Sequence, residues 1–218
     1  MSGCVMPPFG LGNLKSVGQE LRLKNEDQFP YSGIWLFTGA QGSGKTLLLM
    51  HCAKQILEEY PKAILVSNIS IYGTPSYVYR GIEDFETYNN GADGTIFLID
   101  EIHTLFSSLQ SAKMPESTLT VWSQNRKNRR VILGTSQRFT RVAKGIREQT
   151  TYNYECCHPL FGRIFSYRIK DGDDYDDAGK YVGESEPHRY FYIPKVSVMR
   201  MYNTLEVVRK GDSNGNSN

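Results

Sequence analysis

No run among the 218 residues approaches the roughly eighteen consecutive apolar residues that a membrane-spanning helix needs. The amino terminus, MSGCVMPPFG, has no basic lead and no apolar stretch of signal-peptide length, so the expectation is a cytoplasmic protein. Cysteine is scarce. Cys4, Cys52, Cys156 and Cys157 are too few for a disulfide framework and lack metal-ligand spacing, which leaves reduced thiols. An excess of one charge is missing too: the formal net charge is +2, and the total argues neither for nor against a nucleic-acid partner. What remains is a chain with 39% hydrophobic, 12% aromatic and 22% charged residues. That balance excludes a disordered or fibrous protein and suits one domain with arms.

Residues 1–30 carry Pro7, Pro8, Gly10, Gly12 and Gly18 without periodicity and read as an amino-terminal arm. Ile34–Phe37 is a short apolar run closed by glycines, hence a buried strand. Leu47–Tyr60 spaces Leu48, Leu49, Cys52, Ile56 and Leu57 as a helix and stops at Pro61, and Ala63–Val66 is a second strand. Residues 70–94 read as loop, with a short helix around Ile82–Tyr88. Thr95–Ile99 then ends in Asp100-Glu101, and Val131–Leu133 ends in Gly134-Thr135-Ser136-Gln137. Strands that are apolar throughout, separated by helical segments, predict a parallel sheet covered on both faces, an α/β fold. From about Tyr152 the chain becomes tyrosine-rich and β-like, through Gly162–Ile169 and Tyr190–Ile193. The division expected is an arm (1–30), an α/β core (31–155), a β-rich carboxy-terminal extension (156–208) and a disordered tail (209–218).

Gly39-Ala40-Gln41-Gly42-Ser43-Gly44-Lys45-Thr46 fits G-x-x-x-x-G-K-[ST] at every fixed position, with a strand before it and a helix after it. Glycines let backbone N–H groups curl around a β-phosphate, and the following helix adds its positive end. Lys45 can reach the β- and γ-phosphates, and the Thr46 hydroxyl can ligate Mg²⁺, so the loop reads as a phosphate-binding loop that works with Mg²⁺.

An apolar strand ending in a carboxylate supplies the second Mg²⁺ contact, which assigns Asp100 to the metal's shell. Glu101 follows directly. ATPases that activate water need such a second acid, whereas small-molecule kinases and translation-type GTPases do not; the plainer reading is a solvated strand-end acid. Gln137, at the end of the next strand, suits sensing the γ-phosphate or orienting the attacking water, against the alternative of an ordinary loop amide. His103 is read as structural rather than catalytic.

Between Gln124 and Arg147 there are eight basic residues (Arg126, Lys127, Arg129, Arg130, Arg138, Arg141, Lys144 and Arg147) and no acidic one. Residues 171–186 answer with seven acids against Lys180 alone, so the small total hides two opposed patches. The basic run brackets the Gln137 strand. It suits weakly sequence-specific phosphate contacts to nucleic acid, or an arginine reaching a neighbouring subunit's γ-phosphate, or a merely solvated face. The acids lack EF-hand spacing and read as a solvated excursion.

The order of parts resembles the FtsK–HerA class of DNA-pumping ATPases: Gly39–Thr46, Ile96–Glu101, Asn125-Arg126-Lys127-Asn128, then a strand ending Thr135-Ser136-Gln137-Arg138. Within that class, Ile99-Asp100-Glu101-Ile102-His103 and Lys144-Gly145-Ile146-Arg147 are similar to segments of the zonular-occludens-toxin-like branch, the assembly ATPases of filamentous phages. The resemblance covers residues 31–155. It implies a three-layer RecA-like P-loop NTPase fold with a mostly parallel core sheet, assembly into a hexameric ring, and ATP-driven movement of DNA. It also implies a trans-acting arginine at Arg126, with Arg129 and Arg130 as rivals. Members of the branch carry a membrane span after the ATPase domain; none is visible here, which shifts the expectation from extrusion towards packaging of a viral genome by a soluble, cytoplasmic or virion-associated motor. A capsid or membrane portal protein would then be a partner. In this reading MgATP binds at Gly39–Thr46 and Asp100, Glu101 polarises the water, and Gln137 senses the γ-phosphate. A nucleotide or small-molecule kinase, and an ATP-binding switch with slow turnover, stay open as alternatives.

Overall fold

The computed structural model describes residues 28–104 and 124–202; the expected tail and most of the arm lie outside the described residues. Its strands are β1 (Gly33–Thr38), β2 (Ile64–Ser67), β3 (Tyr77–Val78), β4 (Thr95–Ile99), β5 (Arg130–Ser136), β6 (Thr150–Leu160), β7 (Ile164–Asp171) and β8 (Arg189–Tyr192). One long helix, α1 (Lys45–Glu59), is joined by three short ones: α2 (Asp84–Thr87), α3 (Lys144–Arg147) and α4 (Val196–Met199). All eight strands share one sheet in the order β3-β2-β4-β5-β1-β6-β7-β8. Pairing is parallel from β3 to β6 and antiparallel for β7 and β8. This is an α/β, RecA-like P-loop NTPase fold.

The central strands are apolar between their ends because both of their faces are covered. Trp35, Phe37, Ile96, Leu98, Val131 and Leu133 pack on the α1 side, and Ile34, Leu36, Phe97, Ile99 and Ile132 on the other. On the first side α1 buries Leu48, Leu49, Cys52, Ala53 and Ile56. It ends where Tyr60 N–H donates to the Ile56 carbonyl and Pro61 breaks the ladder. On the second side, among the described residues, short turns rather than long helices cover the sheet. Large side chains make this possible: Tyr79, Phe85, Ile102, Phe139, Val142 and Ile146 fill the layer, and Phe85 packs on Phe97 with ring centroids 4.5 Å apart.

Three expectations are modified. The segment read as an arm ends in a core residue, since Phe29 is buried and packs edge-on against Tyr31 and Tyr60. The stretch 70–94 holds the edge strand β3 as well as α2, which lies inside the expected helical window. The boundary at 155/156 falls inside β6, which pairs with β1 as far as Glu155 and with β7 on its other side. The β-rich extension therefore widens the core sheet, its Cys156 and Tyr167 joining Tyr154 in the α1-side cluster.

Arg130, a member of the basic run, opens β5 at 2% exposure. Its Nε donates to Asn125 Oδ1 at 2.7 Å, an Nη donates to the Phe85 carbonyl, and the guanidinium lies 5.8 Å and 5.9 Å from the Phe85 and Phe97 ring centroids. Burial pulls its pKa down to about 10, against the opposing pull of Glu86. This arginine is part of the core and is not available to a neighbouring subunit. Arg130→Ala would orphan two buried acceptors and leave a cavity, a loss of about 2–4 kcal/mol. Urea denaturation should show a lower midpoint with an unchanged slope.

Candidate nucleotide-hydrolysis site

Gly39 follows β1 at the sheet's carboxyl edge, and the loop to Gly44 caps that edge before α1 begins. Gly44 holds φ 84° at the helix N-cap, a left-handed conformation that disfavours any side chain. A Cβ there would run into the Phe165 ring, and a Cβ on Gly39 would run into the Cys156 carbonyl. Lys45 is 7% exposed, and its Nζ donates to the Ala40 carbonyl at 3.1 Å, bending the side chain back over the loop. Among the described residues no carboxylate pairs with it, so its charge faces the space inside the loop. Ser43 Oγ is buried there without a hydrogen-bond partner.

Asp100, at the end of β4, meets this loop. Its Oδ1 accepts from Thr46 Oγ1 at 2.9 Å and from Thr135 Oγ1 at 2.7 Å. Asn68, just past β2, clamps the Asp100 backbone: Nδ2 donates to its carbonyl at 2.9 Å and Oδ1 accepts its N–H at 2.8 Å. Thr135 also accepts from the Glu101 N–H at 2.8 Å. A single hydroxyl thus aligns both acids.

Glu101 itself sits at φ 53°, a left-handed position for a residue with a side chain. Its Oε2 is buried with no hydrogen-bond partner, although His103 Nδ1 lies 3.1 Å away. Burial raises the Glu101 pKa and adjacent Asp100 adds to this, while Lys45 and Arg141 oppose it. Burial lowers the His103 pKa, helped by Arg141 and Lys45 and opposed by Asp100, so the imidazole is neutral at pH 7. His103 Nδ1 also lies 3.3 Å from Ser136 Oγ. An unsatisfied acid oxygen beside a neutral imidazole is a group with spare capacity to accept a proton or orient water.

Gln137 is half-buried just beyond β5, and its Oε1 accepts from Arg141 Nη1 at 2.6 Å. Lys45, Thr46, Asp100, Glu101 and Gln137 therefore gather at one edge. Arg126 does not join them. It is exposed in the turn that precedes β5, at the opposite edge of the sheet, about 23 Å away by strand length. Sequence reasoning missed three residues: Asn68, Thr135, and Arg141 as the partner of Gln137. The polar Thr135-Ser136 end of an otherwise apolar strand was the visible signal for one of them.

The basic run is partly answered within the fold. Lys144 lies 3.3 Å from Asp177 and 3.6 Å from Glu148. The Arg147 guanidinium is 6.0 Å from the Phe139 ring centroid and abuts Gly179. The acidic excursion thus touches the basic segment at α3, and the two patches are not simply opposed. Among the described residues no cluster of three His, Cys, Asp or Glu could hold a metal.

The fold is similar to that of the N-terminal domain of zonular occludens toxin from Neisseria meningitidis, at 14% identity and a TM-score of 0.59, covering 79% of this chain and 99% of that one. It is also similar to the genome packaging NTPase B204 from Sulfolobus turreted icosahedral virus 2 in complex with ATP-gammaS, at 15% identity, a TM-score of 0.51 and coverage of 75% and 98%. B204, the DNA-packaging ATPase from Sulfolobus turreted icosahedral virus, matches at 15% identity, a TM-score of 0.50 and coverage of 75% and 98%. Comparison with curated protein sequences finds no match. The model of the ATPase family associated with various cellular activities (AAA) matches residues 35–155. That match spans more than half of the chain, which therefore belongs to the AAA family and is an ATP-hydrolysing P-loop enzyme.

Proposed function

We propose that this ATPase is a motor that moves DNA during assembly of a virus or phage particle, by packaging or extrusion. The observation that carries its hydrolytic half is the Thr46–Asp100–Thr135–Glu101 network at the mouth of the phosphate loop. Lys45 and the loop N–H groups hold the phosphates of ATP. Thr46 and Asp100 offer two hard oxygen donors to a magnesium ion, too few for a self-sufficient metal cage but suited to an ion that arrives on a triphosphate. Bound there, Mg²⁺ would neutralise charge on the phosphate oxygens. Glu101, kept from full solvation and lacking a hydrogen bond at Oε2, takes the proton of the attacking water. Gln137, held by Arg141, faces the terminal phosphate.

The DNA half is supported by the structural neighbours named as genome packaging and DNA-packaging enzymes, and by basic residues exposed around the β5 strand, Arg126, Lys127, Arg138 and Arg141 among them. Arg126, remote from its own subunit's phosphate loop, acts in a ring, proposed as hexameric, where it completes a neighbour's site. Among the described residues no helix is long and apolar enough to cross a membrane. A capsid or portal protein, and a place in the host cytoplasm or virion, belong to the same proposal.

Lys45→Ala should abolish ATP turnover, because the transferring phosphoryl group loses its cation. Glu101→Gln should still bind MgATP but hydrolyse it about 10²-fold more slowly or worse, since only water activation is removed. Titration with a fluorescent ATP analogue alongside phosphate release separates them; equal loss of binding in both variants would defeat the division of labour.

Arg126→Ala should bind ATP and fail to hydrolyse it. Mixing it with the Lys45→Ala protein should restore part of the activity, because some interfaces then combine an intact loop with an intact arginine. Trans arginines contribute roughly 10³–10⁵ in rate, so rescue would stand clear of background. A protein that stays monomeric with MgATP and DNA, with no rescue, would count against the ring.

Arg138→Ala should weaken DNA binding and flatten its salt dependence by about one unit per lost phosphate contact, with little change in ATPase measured without DNA. Fluorescence anisotropy across a salt series reads this directly. An unchanged slope would remove Arg138 from the DNA surface.

A further inference from the structure

We propose that the hairpin joining β6 to β7 is the base-binding wall of the nucleotide site, with Phe161 at its tip receiving the ring of the nucleobase. The inference rests on the phosphate-loop reading above and extends it to the half of the ligand that reading leaves without contacts.

Strand order makes the site directional. Asp100, Glu101 and Gln137 follow β4 and β5, which lie to one side of β1. That is the side of the terminal phosphate and its water. A nucleoside triphosphate held by the loop must therefore run its sugar and base towards the other side, where β6 and β7 stand.

The register shows what stands there. β6 stays paired with β1 until Glu155 faces Thr38, the last residue of β1. It then continues from Cys156 to Leu160, which faces Ile164 of β7 across the hairpin. Five residues at about 3.3 Å each overhang the sheet edge by roughly 16 Å beside the phosphate loop. The root of the overhang is packed onto the loop at two points. The Cys156 carbonyl fills the space a Cβ on Gly39 would take, and the Phe165 ring fills the space a Cβ on Gly44 would take. The wall is fixed to the first and last parts of the same loop.

The tip is apolar and open. Leu160 is 50% exposed and Phe161 is 94% exposed. Phe161 also holds φ 52°, a conformation disfavoured for a bulky side chain, with no core packing to offset it. An aromatic ring displayed in a strained turn, on a wall fixed to a phosphate loop, is suited to stacking on a flat heteroaromatic ligand.

Isothermal titration of the full chain with MgATP and with magnesium tripolyphosphate tests this, the second probe having phosphates and no base. The wild type should bind MgATP more tightly. Phe161→Ala should weaken MgATP binding about tenfold and leave tripolyphosphate binding unchanged, and Phe161→Trp should restore it. Truncating so exposed a ring removes no core contact, so the variant keeps its fold. Equal weakening of both probes would mean that the hairpin merely supports the loop, and no effect on either would mean that the tip faces something other than the nucleotide; each overturns the proposal. A wild type that binds both probes equally well also overturns it while leaving the phosphate-loop reading intact. A wild type that binds neither defeats both.

Discussion

Parallel insertion of β5 between β1 and β4 is the constraint on which the site depends. Because all three strands run the same way, their carboxyl ends meet at one edge, and polar residues that would be costly in the sheet's interior cluster where water and ligand can reach them. The middle strand contributes Thr135, whose hydroxyl donates to Asp100 and accepts from the Glu101 N–H. With both its donor and an acceptor site used, the hydroxyl holds a carboxylate and a strained backbone together. A valine of the same shape could pack there and do neither.

Charge is organised by burial more than by sequence proximity. Eight basic residues in one stretch look like one surface, yet the fold divides them among separate tasks. Arg130 is drawn into the core because Asn125 and the Phe85 carbonyl accept from its guanidinium and the adjoining Phe85 and Phe97 rings pack beside it. Lys144 is matched by Glu148 and Asp177, and Arg147 lies along Phe139. Arg141 turns towards Gln137. Exposed pairs such as Lys144–Asp177 contribute little energy at physiological salt, but they do neutralise part of the positive surface.

The acidic excursion is also tied to the core. Tyr175 stacks on Phe139 with centroids 4.0 Å apart, and its hydroxyl accepts from Asn153 Nδ2 at 2.5 Å. Asn153 Oδ1 in turn accepts from Thr38 Oγ1 at 2.9 Å, one residue before the phosphate loop. A run read as a solvated loop is therefore anchored, through two polar side chains, beside the start of the nucleotide site.

Local pattern carried much of this protein into view. The phosphate loop is legible because its chemistry demands glycine, lysine and threonine at set positions within a contiguous stretch; β1, β4 and α1 are legible because burial on one or two faces imposes apolar runs of characteristic length and period. Asp100 and Glu101 stand out as charges at the end of such a run. Residues whose roles depend on neighbours distant in the chain gave no such signal. Asn68 meets Asp100 across 32 positions and Thr135 meets it across 35; Arg130 and Arg141 look alike in the string, and Phe161 looks like any aromatic residue in a β-rich stretch. Strand order separated them, by deciding which ends share an edge, which side chains lose water, and which hairpin overhangs the loop.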